Sequence, residues 1–154
     1  MLKYLWLTGF IIAADQLSKW LMVDWLSLYE TVAVVPFFNL TMAHNPGAAF
    51  SFLADGSGWQ RWFFVILAGG VSIVLLVWLA KYVSSKVEAV SISLILGGAI
   101  GNVIDRLYYG YVIDFLDVYY GSYHWPAFNI ADSAIVIGAA LLIMDSFRSG
   151  KEKS

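Results

Sequence analysis

The sequence predicts an all-α membrane protein of four transmembrane helices, with strand-forming sequence in the segments that lie outside the hydrocarbon. Of 154 residues, 60% are hydrophobic and 13% charged, whereas a soluble domain carries about 25% charged and about 45–50% apolar residues. Four apolar runs approach the length of about 20 residues that a spanning helix needs. They cover roughly 2–23, 62–80, 88–106 and 129–147. Seven tryptophans within a 17% aromatic content suit aromatic belts at the two membrane interfaces. The length fits one integral membrane domain over residues 1–154.

Composition also excludes. A net charge of −2 gives no footprint for nucleic acid. The absence of cysteine removes disulfides, thiolate metal sites and a cysteine nucleophile. The two histidines, His44 and His124, are too few for most histidine-based metal sites.

The first run follows Lys3 and resembles a signal peptide only superficially. Asp15, Gln16 and Lys19 interrupt its core, and no small-x-small cleavage site follows, so it reads as a membrane helix. Asp15 and Lys19 are spaced i,i+4 and share a helix face. They read either as a self-neutralising ion pair near the outer end of the span or as groups that orient a neighbouring site residue. Lys81 and Lys86 lie between the second and third runs, and Arg148, Lys151 and Lys153 follow the fourth. With Lys3, these cations predict cytoplasmic termini and a cytoplasmic 81–87 loop. Segments 24–61 and 107–128 then lie outside.

In the first outer segment, Phe37–Ala43 is rich in strand formers and partly alternates. Pro36 before it suits an edge strand or a strand's first residue. Asn45-Pro46-Gly47 is a turn signal. It reads as a turn alone, or as a turn whose Asn45 amide meets an extended peptide while Gly47 permits close backbone approach. Ala54–Gly58 reads as a flexible tip, and Trp59 and Trp62, flanking Arg61, as interfacial anchors. The second run carries Gly69-Gly70 and no charge, which predicts a packing role. The third carries Gly97, Gly98 and Gly101, and the Gly97-x-x-x-Gly101 spacing lets helices approach closely.

Polar residues then cluster beside apolar sequence, where they are costly and mark functional sites by default. Asn102, Asp105 and Arg106 share one face at the end of the third run. They read as a positioning device, or as an Asp105–Arg106 end cap with Arg106 snorkelling to the interface. Asp114 lies among Val112, Ile113, Phe115 and Leu116, which argues against a fully solvated loop carboxylate. Asn129 is a candidate N-cap for the fourth helix, and Asp132 falls in its first turn, where the helix dipole favours an anion. That placement serves a structural carboxylate as well as a functional one.

Asp114 and Asp132 together permit a definite chemistry. Two carboxylates that cannot both ionise hold an acid and a base at one site, and such a pair can activate water against a peptide carbonyl and protonate the leaving amine. The rivals are weaker. Ser18 and Lys19 are adjacent and point in different directions on a helix, while Ser51 and Ser133 have no near base in sequence. His44 and His124 stand at no recognisable metal-ligand spacing. A small transporter or channel, with Asp15, Lys19, Asn102 and Asp105 along a polar path, is the alternative class. Its weakness is that the second and fourth runs have almost no polar residue at their centres.

Five motifs in order complete the picture: D-Q-L-S-K (Asp15–Lys19), N-P-G-A-A-F (Asn45–Phe50), G-G-A-I-G-N-V-I-D-R (Gly97–Arg106), V-I-D-F (Val112–Phe115) and F-N-I-A-D (Phe128–Asp132). Together they make the chain resemble the bacterial lipoprotein signal peptidase family, the type II prolipoprotein signal peptidases. The resemblance covers nearly the whole chain; it departs mildly in the segment holding His124 and Trp125. It implies an aspartic endopeptidase of the bacterial inner membrane, active near the outer face. Its substrate would be a diacylglyceryl-modified prolipoprotein, cut just before the lipidated cysteine. It implies Asp114 and Asp132 as the catalytic pair. Asn45, Asn102, Arg106 and Asn129 would be positioning groups, Gly47, Gly98 and Ala131 points of close approach, and Asp15, Lys19 and Asp105 supports. It further implies a small β cradle on the membrane surface and no metal or organic cofactor. A monomer among membrane lipids is expected. The dipole of the fourth helix favours charge on Asp132, which leaves the shared proton on Asp114.

Overall fold

The computed structural model describes residues 1–47 and 58–151, with side chains through Arg148. A 3-10 turn at Leu2–Tyr4 leads into α1 (Leu5–Trp25), followed by strands β1 (Thr31–Val35) and β2 (Phe38–Asn45). Helices α2 (Trp59–Lys81) and α3 (Lys86–Tyr108) come next, then β3 (Val112–Tyr120), the short β4 (Tyr123–His124) and α4 (Ile130–Lys151). The four expected helices are present, with ends displaced by a few residues. The expected tip Ala54–Gly58, except Gly58, lies outside the described residues, as do Ala48, Ala49 and Phe50 of the second motif and Ser51.

Helix α3 occupies the centre and packs on α1, α2 and α4. Its sequence explains why. Ser91, Ser93, Gly97, Gly98, Ala99 and Gly101 are all buried, and small residues let helix backbones approach where lipid supplies no hydrophobic drive for association. Ser91 and Ser93 return their hydroxyl protons to Val87 O and Ala89 O, both at 2.8 Å, so neither leaves an unmet polar group. The glycines serve two seams: Gly97 and Gly101, four residues apart, face α1, and Gly98 faces α4. A methyl group on Gly97 would press on Ile11 of α1, one on Gly98 on the Ala131 carbonyl of α4, and one on Gly101 on the Asp15 carboxylate. Ser85 starts the helix by accepting from the backbone N–H groups of Val87 and Glu88.

Among the described residues three helices, α2, α3 and α4, are long and apolar enough to cross a membrane. Half of the apolar window of α3 is buried within the protein, against 11% for α2 and 17% for α4, so these two turn broad apolar faces outward. Ile66, Ile73, Val136 and Phe147 lie there, each about two-thirds exposed or more. Helix α1 has 21 residues but falls outside that class, because Asp15, Lys19 and Asp24 lower its apolarity. A methyl group added at Gly69 or Gly70 would meet nothing within 4 Å. The second span does pack, on α3 through Leu75 and Leu79, but these two glycines are not its contact.

The outer segments form one antiparallel sheet in the order β1-β2-β3-β4. Pro36 and Phe37 make the β1–β2 turn, with Val35 paired to Phe38 and Phe37 at φ 72°. Pro36 therefore does not begin an edge strand: it presets the turn, and β2 is an interior strand between β1 and β3. β3 answers β2 through Ala43↔Asp114 and Asn45↔Val112, which puts Asn45 and Asp114 beside each other. Leu26, Met42 and Ile113 form the apolar contact that seats the sheet on the end of α1. Beyond β4, Phe128 rejoins β3 by exchanging backbone hydrogen bonds with Leu116, and this delivers Asn129 to the start of α4.

Candidate active site

The polar residues that the resemblance assigns to the site come from five elements. Asp15 and Lys19 come from α1, Asn45 from the end of β2, Asn102, Asp105 and Arg106 from α3, and Asp114 from β3. Asn129 and Asp132 come from the start of α4. All converge where the sheet meets the bundle.

The inner part is an ion cluster. Lys19 Nζ donates to Asp15 Oδ2 at 2.8 Å and to Asn102 Oδ1 at 3.1 Å, and pairs with Asp105 Oδ2 at 2.8 Å. Lys19 is 2% exposed, Asp15 0% and Asp105 1%, so the charges are closed on one another. Burying ions this way is expensive unless each is paired and hydrogen-bonded, and each is. Asp15 Oδ1 accepts the Ala131 N–H at 2.9 Å, and Asp105 Oδ2 accepts the Ile113 N–H at 3.0 Å. The bare ion-pair reading of Asp15 and Lys19 is thus incomplete, since Lys19 also holds Asn102. The Asp105–Arg106 end cap is also corrected. Asp105 faces Lys19, while Arg106 donates to Asn102 O at 3.3 Å and lies 5.0 Å over the Phe64 ring.

The outer part is a chain of amides joining two carboxylates. Asn129 Nδ2 donates to Asp114 Oδ1 at 2.7 Å, and Asn45 Nδ2 to Asp114 Oδ2 at 2.9 Å. Asn102 Nδ2 donates to Asp132 Oδ1 at 2.7 Å, and Asn129 Nδ2 also reaches Asn102 Oδ1 at 3.2 Å. Asn129 Oδ1 accepts the Asp132 N–H at 2.8 Å, the N-cap expected from sequence. Each carboxylate therefore receives at least one amide N–H. Burial, followed by the neighbouring Asp132 charge, pushes the Asp114 carboxyl up to about 6, against the lowering effect of its Asn45 and Asn129 hydrogen bonds. Asp132 is only partly covered and opens on a groove of about 570 Å³ walled by Trp125, Phe128, Val136 and Ile137.

The points of close approach are physical. Gly47 has φ +116°, and a methyl group there would meet the Phe64 ring at 2.5 Å. Its N–H is capped by Asn45 Oδ1 at 2.9 Å. Asn45 Nδ2 is thereby turned toward Asp114. One contributor is missed by the sequence reading. Gln16 Nε2 bridges Asp105 Oδ1 at 2.8 Å, Asp15 Oδ2 at 3.2 Å and Gly101 O at 3.2 Å. Its signals in sequence are its polarity inside the apolar first run and its place in the D-Q-L-S-K motif. The rival sites do not form among the described residues. Ser18 donates to Asp15 O rather than meeting Lys19. His44 stacks on Tyr111 with centroids 4.0 Å apart, while His124 meets Asp117 at 2.9 Å on a different strand pair.

A helical membrane protein with its ionisable groups gathered at one end of the bundle, beneath a small sheet, is the class that this fold and site define. Comparison with known proteins gives the family. The family model described as signal peptidase (SPase) II matches residues 7–148. A lipoprotein signal peptidase of Alteromonas mediterranea is 57% identical over 154 residues, covering 99% of this chain and 85% of that protein. One of Polynucleobacter necessarius is 51% identical, covering 100% and 94%. A solved bacterial membrane enzyme superposes with a TM-score of 0.88 at 32% identity, covering 100% of this chain and 93% of its own. The chain belongs to the signal peptidase II family, and it is an integral membrane peptidase.

Proposed function

We propose that this peptidase removes the signal peptide from diacylglyceryl-modified prolipoproteins by an aspartic mechanism, cutting just before the lipidated cysteine. One observation carries the reading: two carboxylates from separate elements, Asp114 and Asp132, are tied into one unit by the amides of Asn129 and Asn102. In this reading the ionised Asp132 takes a proton from water as the water oxygen attacks the scissile carbonyl carbon. Asp114 donates its proton to the carbonyl oxygen, giving a gem-diol. As the C–N bond breaks, Asp132 passes the water's proton to the leaving amine of the cysteine, and Asp114 recovers a proton from a gem-diol hydroxyl. Asn45, Asn102 and Asn129 hold the carboxylates, and Arg106 keeps a guanidinium beside them for the substrate backbone. Gly47, Gly98 and Ala131 keep the approach close, while Asp15, Lys19 and Asp105 brace the site.

The finer membrane arrangement follows the same reading. All four helices cross the bacterial inner membrane as one domain over 1–154, α1 doing so because its charges neutralise one another inside the protein. Both termini face the cytoplasm, and the sheet forms the cradle on the outer surface. The enzyme works as a monomer, and its substrate arrives sideways through membrane lipid. The transporter alternative loses its path, because Asp15, Lys19, Asn102 and Asp105 are consumed by one another.

The test is cleavage in liposomes of a diacylglyceryl-modified precursor beside its unmodified form. We expect the modified precursor to be cut at least about 10-fold faster, since remote lipid binding energy is spent at the reacting centre. Equal rates would overturn lipid-dependent recognition.

A pH dependence follows from Asp114. Its carboxyl holds a proton in the folded protein up to about pH 6, above the ordinary 3.8. Between those values the folded state binds a proton that the unfolded state has released, so stability falls as pH rises through this window. The loss is about 3 kcal/mol, at about 1.4 kcal/mol per pH unit. The singly protonated pair is the working state, so kcat/KM falls on the alkaline side of the pair's upper apparent value, near pH 6. Rate and melting profiles from pH 4 to 8 check both signs; a melting temperature that rises across the window would contradict the assignment.

A further inference from the structure

We propose that Lys19 is a positioning residue for catalysis: its ammonium fixes which way the Asn102 amide faces and so directs an N–H at Asp132. The proposal rests on the aspartic reading and names the device that polarises its amide chain. An ammonium has donors only, whereas an asparagine side chain presents a donor on one side and an acceptor on the other. Among the described residues Lys19 Nζ donates to Asp15 Oδ2 and Asn102 Oδ1 and forms an ion pair with Asp105 Oδ2, so every atom facing it is an oxygen. Whatever Asn102 turns toward Lys19 must therefore be its oxygen. That leaves Nδ2 for Asp132 Oδ1 at 2.7 Å. A flipped Asn102 would set NH2 against the ammonium and an oxygen against the Asp132 carboxylate, two repulsions at once.

The setting passes along the chain. With Asn102 Oδ1 fixed, Asn129 can meet it only with Nδ2, which also donates to Asp114 Oδ1. The Asp132 N–H takes Asn129 Oδ1 and locks the same orientation from the other side. Gln16 holds Asp15 and Asp105 with one amide nitrogen, so Lys19 is pinned. The charged groups around this unit are Asp15 from α1, Asp105 and Arg106 from α3, Asp114 from β3 and Asp132 from α4. A buried ion cluster is a poor way to gain stability, since apolar replacements often match or exceed it. Setting the direction of an amide, by contrast, requires a group that only donates.

The test uses full-length enzyme in liposomes with a lipidated precursor. Lys19→Met combined with Asp105→Asn removes one charge of each sign and keeps the cluster's net charge. We expect kcat to fall about 30-fold or more with KM changed less than about 3-fold. We also expect the acidic limb of the rate profile, a property of the coupled pair, to move upward, because a carboxylate deprived of an N–H donor ionises less readily. A purely structural Lys19 would instead reduce rate only in proportion to the folded fraction, with an unmoved profile, and that result overturns the proposal. Should the double variant fail to fold, Asn102→Leu gives a second answer. It removes the amide facing Asp132 without adding charge. Its acidic limb moves upward if an N–H faced Asp132, and a limb that moves downward or stays put overturns the assigned direction. Failure of the aspartic reading is distinguishable, since it would appear as retained activity in Asp132→Asn whatever the Lys19 variants do.

Discussion

Asp132→Asn is expected to abolish cleavage, lowering kcat by about 10³-fold or more while leaving the protein folded. The size follows from removing the general base, a role worth about 10²–10⁴-fold by itself and more where the partner acid depends on it. Survival of the fold follows from local geometry. The Asp132 N–H is held by Asn129 Oδ1, and its Oδ1 accepts from Asn102 Nδ2. An asparagine at 132 keeps both bonds by facing its own oxygen toward Asn102. Its new NH2 points to the groove, where the side chain is partly open. Cleavage of a lipidated precursor in liposomes, read beside a melting curve of the same preparation, checks this. More than about one-tenth of wild-type kcat would remove Asp132 from the chemistry.

Asp114→Asn shares the kinetic expectation but not the structural one. Asp114 receives an N–H on each oxygen, from Asn129 and from Asn45. An asparagine there must set its NH2 against one of those donors. It is therefore the less clean test of the pair, although it should erase the stability loss between pH 4 and 6 that Asp114 causes.

These residues differ in how far the sequence betrays them. Asp114 and Asp132 stand out because a carboxylate beside Val112, Ile113 and Phe115, or in the first turn of an apolar helix, is costly there without a purpose. Asn129 reads as an N-cap from position alone. What sequence does not contain is who pairs with whom. Asp105 and Arg106 are neighbours, and their pairing is the obvious local guess. Yet Lys19, 86 positions away from Asp105, takes that carboxylate because α1 packs on α3 at its glycines. The strands show the same limit. Val112–Tyr120 is β-branched and aromatic enough to be a strand, but its register against β2, which puts Asp114 beside Ala43 and Asn45, depends on a partner beyond two intervening helices. The helices are legible from apolar length. The role of Gly69-Gly70 is not, because the sequence does not reveal which face of a uniformly apolar helix meets protein and which meets lipid.

That difference between glycines gives the second large effect. Gly98→Ala is expected to cost about 1–3 kcal/mol through overpacking and to lower kcat by about 10-fold or more. The methyl group would land on the Ala131 carbonyl oxygen and near Ile135 Cγ1 at 2.7 Å. Backbone cannot step aside as a flexible side chain can, so α4 must shift. The peptide pushed is the one that leads into Asp132, and the Ala131 N–H is tied to Asp15. A displacement of α4 therefore moves the carboxylate against a partner anchored on β3, and misplacement by about 1 Å can cost 10²-fold in rate. Gly70→Ala is the control, since a methyl there meets nothing within 4 Å. It should leave both melting temperature and kcat near wild type. If the two alanine variants behave alike, the contact of α3 with α4 is not what sets Asp132, and the placement of the carboxylate must depend on the Asn129 cap alone.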